Sequence, residues 1–118
     1  MVDAPRFEFA LEYVDDVKAV RAFYEAVMGL KAQREHPTFV QFEHFAIASD
    51  ERVGGGSEPE LYWSVEDIDA AYREMSANAE IAVPLKDLPF GRVFAVKDPD
   101  GRSRFLLEWA GQRPSDDA

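Results

Sequence analysis

A stretch of this chain is written twice in outline, 51 residues apart, and that repetition limits the fold more than any single motif. The first copy, residues 9–24, reads FALEYVDDVKAVRAFY; the second, residues 60–75, reads ELYWSVEDIDAAYREM. Val14 and Val65, Asp16 and Asp67, and Ala19 and Ala70 coincide. Each copy passes from an aromatic and β-branched stretch, through an acidic pair, into apolar residues at helical spacing. The pattern predicts a strand, an N-cap and a helix, twice, and so two half-domains.

The rest of the chain extends each copy. Phe7 to Val14 reads as a strand, and Asp15 or Asp16 as the cap of a helix with the apolar stripe Val17, Val20, Phe23, Tyr24, Val27 and Met28. Gly29 closes that helix, because glycine reaches positive φ without a Cβ clash. Lys31 to His36, Phe39 to Glu43 and Phe45 to Ser49 follow as three short strands. Residues 50–59, with Gly54, Gly55 and Gly56 in a row, form the join. Three glycines invite comparison with a phosphate cradle, but no Lys and Ser/Thr pair follows and the next element is a strand, so a linker is the better reading.

The second half supplies a strand over Glu60 to Val65 and a helix from Ile68 to Ala77 capped by Asp67. Apolar stretches follow at Ile81 to Val83, Arg92 to Lys97 and Ser103 to Trp109. Asp98-Pro99-Asp100-Gly101 joins the last two as a hairpin, with Pro99 pre-setting φ, Asp100 bonding the turn through its side chain and Gly101 in the left-handed position. The expected architecture is α+β: a single domain, residues 1–118, of two βαβββ modules at about 7–49 and 60–110. The tail from Gln112 to Ala118 is polar and expected to fray.

Composition removes several classes of function. With 118 residues, 47% of them hydrophobic, the chain suits one compact core. No apolar run is long enough to span a bilayer and the N-terminus lacks a signal pattern, which leads to the expectation of a soluble, cytoplasmic protein. The lack of cysteine excludes disulfides, thiolate chemistry and sulfur-rich zinc sites. A net charge of −10 repels nucleic acid and anionic lipid; it serves solubility first, with attraction of a cationic ligand as the sharper reading. No nucleophilic triad is legible, since neither His36 nor His44 stands in a recognisable partner pattern.

The doubled βαβββ pattern resembles the vicinal oxygen chelate superfamily, which includes glyoxalase I, bleomycin and fosfomycin resistance proteins and extradiol dioxygenases. The resemblance is carried by Phe23-Tyr24 and Gly29-Leu30, by the stretch from Val65 to Tyr72, and by the terminal Asp-Pro-Asp-Gly hairpin. It covers about residues 7 to 110. It implies curled, mixed sheets around a pocket (the glyoxalase/bleomycin-resistance-like fold), often completed by a second subunit, hence a homodimer. In metal-dependent members the ligands stand on the first and last strands of each half. Matched onto this chain, those positions are Phe9, Glu60, Phe105 and a place within Phe45 to Ser49.

A phenyl ring is no donor for a divalent metal, so three of the four positions are lost and no metal or other cofactor is expected. A set made of His36, His44, Glu43 and Glu60, or a one-residue slip bringing Glu108 to the place of Phe105, stays open at this point. Alternation on the strands puts Phe7, Phe9, Leu11 and Tyr13, then Glu60, Tyr62 and Ser64, then Phe105, Leu107 and Trp109 on the cavity side. Glu12 falls on the helix side, where a partner such as Arg21 would compensate its charge.

The expected function is metal-independent binding and sequestration of a small aromatic or cationic organic ligand, as in antibiotic resistance. Phe9, Tyr13, Tyr62, Phe105 and Trp109 would stack on it and Glu60 would supply opposing charge. The alternatives are a metal-dependent lyase, isomerase or dioxygenase with atypical ligands, a metal-free acid–base enzyme using Glu60, and a module that kept the fold without the pocket.

Overall fold

The computed structural model describes residues 4–54, 56 and 59–111. Gly55, Ser57 and Glu58 of the expected linker and the expected frayed tail lie outside the described residues. The elements run β1 (Arg6–Tyr13), α1 (Val17–Ala26), β2 (Arg34–His36), β3 (Phe39–Gln41), β4 (Phe45–Ala48), β5 (Glu60–Ser64), α2 (Ile68–Ser76), β6 (Ile81–Leu88), β7 (Gly91–Lys97) and β8 (Ser103–Trp109). The order is βαβββ twice, an α+β fold. Among the described residues no helix is long and apolar enough to cross a membrane.

The repeat is reproduced atom for atom where the helices begin. Asp16 caps α1 at φ −129°, ψ 93°, and Asp67 caps α2 at φ −130°, ψ 94°. The Asp16 carboxylate accepts from the Ala19 N–H at 3.1 Å, and the Asp67 carboxylate accepts from the Ala70 N–H at the same distance. Each aspartate satisfies one of the donors that a helix leaves unpaired in its first turn. The two valines of the repeat also correspond: the Val14 N–H donates to the Ala48 carbonyl and the Val65 N–H to the Leu107 carbonyl.

The chain divides into two compact units, one of them Glu8–Leu61, the other from Tyr62 onward with the start of β1 up to Phe7. In the first, the strand order is β2-β3-β4-β1, with β1 and β4 parallel and the others antiparallel. Val17, Val20 and Tyr24 of α1 pack against Val40, Phe42 and Ile47. The opposite face of this sheet is fixed by register: Tyr13, Ala48 and Phe39 form one row, and Leu11, Ala46 and Gln41 the next.

In the second unit the order is β5-β8-β7-β6. Ile68 and Ala71 of α2 pack against Val65, Phe94 and Leu106. Tyr62, paired in register with Phe105, lies on the face turned away from α2, and Trp63 on the face toward it. Gly91 is paired with Trp109 so closely that a Cβ there would run into the Glu108 carbonyl. That approach explains the glycine better than turn geometry does.

Four local expectations change. The first strand after α2 is longer than Ile81 to Val83, because Pro84 is accommodated at the edge of its sheet, where register shifts flank it. The turn after β7 is bonded by Asp98 rather than Asp100: its carboxylate accepts from the N–H groups of Asp100 at 2.9 Å and Arg102 at 3.0 Å, while Gly101 sits at φ 80°. The stripe of α1 ends early, leaving Phe23, Val27 and Met28 more than half exposed or nearly so, at 50%, 69% and 57%. Val27 and Met28 lie past the last helical residue, and Phe23 is a hundred degrees round the helix from Tyr24. Finally, Arg21 does not serve Glu12; it pairs with Glu25 at 3.1 Å and Glu35 at 2.7 Å.

Candidate functional site

Glu60 opens β5 and is 5% exposed. A carboxylate so buried is costly unless its oxygens find donors. Both do. The Tyr13 hydroxyl, at the end of β1, donates to Oε1 at 2.6 Å, and the Gly54 N–H donates to Oε2 at 2.8 Å. Bonds of this kind to an ionised group contribute about 1.5 to 3 kcal/mol each, enough to hold a carboxylate inside.

The loop that supplies Gly54 is tied down twice more at the same place. The Val53 N–H donates to the Tyr13 hydroxyl at 3.3 Å, and the Arg52 guanidinium carbon stands 4.8 Å from the centroid of the Tyr13 ring. Tyr13 is thus donor to Glu60, acceptor from Val53 and π-face for a cation. The arrangement holds negative charge beside an aromatic face, with one of the chain's own cations already resting on that face.

Of the residues expected at the site, Tyr13 and Glu60 are brought into contact. Phe9 is 1% exposed, and its ring meets Phe39 at 5.6 Å. Tyr62 and Phe105 stack on each other at 4.9 Å with 24° between their planes, 0% and 2% exposed. Trp109 meets Phe90 at 6.0 Å. Phe7, expected on the cavity side, instead meets Trp63 edge-on at 5.4 Å and is exposed. Phe9, Tyr62 and Phe105 are thus buried within their own units, as aromatic residues on strands commonly are.

The metal-ligand positions of the resembled superfamily do not fit a divalent ion here. Phe9 and Phe105 carry no donor atom, and β4 offers only Phe45, Ala46, Ile47 and Ala48. Glu60 alone has the right chemistry, and both its oxygens are engaged. Among the described residues no three His, Asp or Glu side chains gather at metal-holding separations, so the set of His36, His44, Glu43 and Glu60 is not assembled. His36 and His44 are both exposed; His36 faces the Thr38 hydroxyl at 3.5 Å and His44 the Glu8 carbonyl at 3.1 Å.

Nor has the last strand slipped. Phe105 pairs with Tyr62, and Glu108, 4% exposed, lies on the other face, where Oε1 accepts from the Ile68 N–H at 3.3 Å. Its carboxylate supplements the Asp67 cap at the positive end of α2.

Three participants escaped sequence reasoning. Arg52 and Gly54 sat in a stretch whose composition says only linker, and no periodicity reveals where a loop returns. Gln41 is 3% exposed on the same face as Tyr13, with Nε2 donating to the Glu8 carboxylate at 3.0 Å and to the Glu43 carbonyl at 2.8 Å. Its own carbonyl oxygen finds no donor among the described residues.

The family model described as a glyoxalase-like domain matches residues 7–104. No curated protein matches the chain in sequence. Among solved structures, a protein described as an NAD-dependent benzaldehyde dehydrogenase from Legionella pneumophila is similar at 21% identity and TM-score 0.73, over 86% of this chain and 98% of that one. A glyoxalase/bleomycin resistance protein/dioxygenase superfamily member from Vibrio splendidus 12B01 is similar at 21% identity and TM-score 0.62, over 89% and 99%. A Streptomyces coelicolor methylmalonyl-CoA epimerase is similar at 13% identity and TM-score 0.69, over 94% and 99%. At such identities the likeness speaks to the fold alone.

Proposed function

Because this chain belongs to the glyoxalase-like domain family, we propose that it binds a small cationic organic molecule without a metal, and that Glu60 and Tyr13 form the recognition pair. One observation carries the reading: a buried carboxylate bonded to a tyrosine whose ring already bears a guanidinium, from Arg52, at 4.8 Å. A ligand cation would take the place of Arg52 on the ring and lie within Coulombic reach of Glu60. The phenyl rings at Phe9 and Phe105, where metal-dependent relatives need donors, support sequestration over metal chemistry.

The test is calorimetric titration with benzyltrimethylammonium, together with the metal content of protein purified without chelator. Glu60→Gln is expected to weaken binding by about tenfold, the scale of one lost charge contact in a partly desolvated site. Arg52→Ala is expected to tighten it, by removing the internal competitor. Unchanged affinity in Glu60→Gln takes Glu60 out of the site, and a stoichiometric metal moves metal-dependent catalysis to first place.

A second reading has one observation in its favour. The 2.6 Å bond between the Tyr13 hydroxyl and Glu60 joins two groups able to carry a proton, as a metal-free acid–base enzyme needs. One of the similar structures is described as an epimerase, a class whose chemistry is proton transfer at carbon. Turnover of a carbon acid, lost in Tyr13→Phe, would establish this reading; binding without turnover in wild type would retire it.

A further inference from the structure

A buried acceptor without a donor is uncommon, and Gln41 has one whose direction is set. Its side chain is 3% exposed, and its carbonyl oxygen finds no hydrogen-bond donor among the described residues. Turning the amide over would not relieve it. The Nε2 end is held between two acceptors, the Glu8 carboxylate at 3.0 Å and the Glu43 carbonyl at 2.8 Å, and the reverse orientation would set oxygen against oxygen at both. The oxygen therefore stays where it is, desolvated, and a group in that state calls for an explanation.

The register of the strands says which face it serves. Gln41 pairs with Ala46, and Ala46 with Leu11; one row along, Phe39 pairs with Ala48, and Ala48 with Tyr13. Paired residues share a face, so Gln41 and Tyr13 lie on the same side of the sheet, away from α1. Two strand spacings and one two-residue step separate them, about 12 Å along the backbone grid. At one end of that span stands Glu60 with Tyr13; at the other stand the Gln41 oxygen and the Glu8 carboxylate. Both ends offer acceptors and negative charge.

We infer that Gln41 is a specificity-determining residue that accepts a hydrogen bond from a second polar end of the ligand, so that the preferred ligand is an elongated amine with donors at both ends. This deepens the Glu60 reading and rests on it. The terminal ammonium or hydroxyl at the far end would donate to the Gln41 oxygen beside the Glu8 carboxylate, while the other end lies at Tyr13 and Glu60. A ligand without the second donor would leave the oxygen unsatisfied and bind less well, because a polar site discriminates strongly against an analogue lacking the matching group.

The experiment is titration of the full-length protein with 1,8-diaminooctane and with n-octylamine, which differ by one terminal donor. Wild type is expected to prefer the diamine by about tenfold, the scale of one hydrogen bond to a charged group. Gln41→Met is expected to abolish the preference. Gln41→Asn, which keeps the amide but draws its oxygen back by one methylene, is expected to reduce the preference, and it stands in should the methionine variant not fold. No preference in wild type, or a preference that survives Gln41→Met or is undiminished in Gln41→Asn, overturns the role of Gln41 and leaves it a structural amide. The Glu60→Gln variant is read separately: it is expected to weaken both amines, and failure to weaken either refutes the Glu60 site itself.

Discussion

The bond between Tyr13 and Glu60 is the most informative place to perturb. Tyr13→Phe keeps the ring and removes the hydroxyl that donates to Glu60 at 2.6 Å and accepts from Val53 at 3.3 Å. Glu60, 5% exposed, keeps its bond from the Gly54 N–H at 2.8 Å. The loss of one bond to a buried charge is about 2 kcal/mol. An unfolding entropy of about 2.1 cal/mol/K per residue over 118 residues converts that to a fall in Tm of roughly 8 °C. Glu60→Gln keeps an acceptor but removes its charge, for a loss of about 1 kcal/mol. If the two groups act through one another, the double variant is less destabilised than the sum of the singles by about 1 kcal/mol. Urea unfolding of all four proteins, with unchanged slopes, measures this. A coupling below about 0.3 kcal/mol would mean that the hydroxyl and the carboxylate are independent, and the site would lose its central contact.

The duplicated caps make a matched pair: Asp16→Ala and Asp67→Ala should each lower stability by about 1 kcal/mol, with most of it kept in the Asn variants, and denaturant melts showing no loss in either would refute the capping role. In the β7–β8 turn, the Arg102 N–H first, then the Asp100 N–H and the nearby Arg104 charge, hold the Asp98 carboxyl below its ordinary value of 3.8. A carboxyl lowered on folding stabilises the fold above its unfolded value, and that contribution drains away as pH falls below about 4 toward the folded value. Asp98→Asn should therefore flatten the acid side of a Tm profile, and a profile identical to wild type would show that these bonds do not outlast thermal motion.

The legibility of this protein follows the range over which its interactions act. Asp16 and Asp67 could be read as caps because a cap bonds three residues on, and the apolar spacing of Val17, Val20 and Tyr24 showed which side of α1 would be buried. The βαβββ order and the β7–β8 hairpin were legible for the same reason, since turn chemistry and periodicity are properties of a few neighbouring residues. Glu60 stood out because it was the one charged residue at the matched strand positions.

What it bonds did not stand out. Tyr13 lies 47 positions before Glu60, Gln41 reaches 33 positions back to Glu8, and Arg52 comes to the Tyr13 ring from a stretch with no pattern at all. Which aromatic residues pair with one another, and that Glu108 caps α2 from 40 positions away, were likewise decided by packing. The sequence alone determined the elements and their order, because hydrogen bonding and side-chain period act locally along the chain. The tertiary structure decided which acceptors are satisfied and which, at Gln41, is not, because a donor and an acceptor far apart in sequence meet only where packing closes the loop between them.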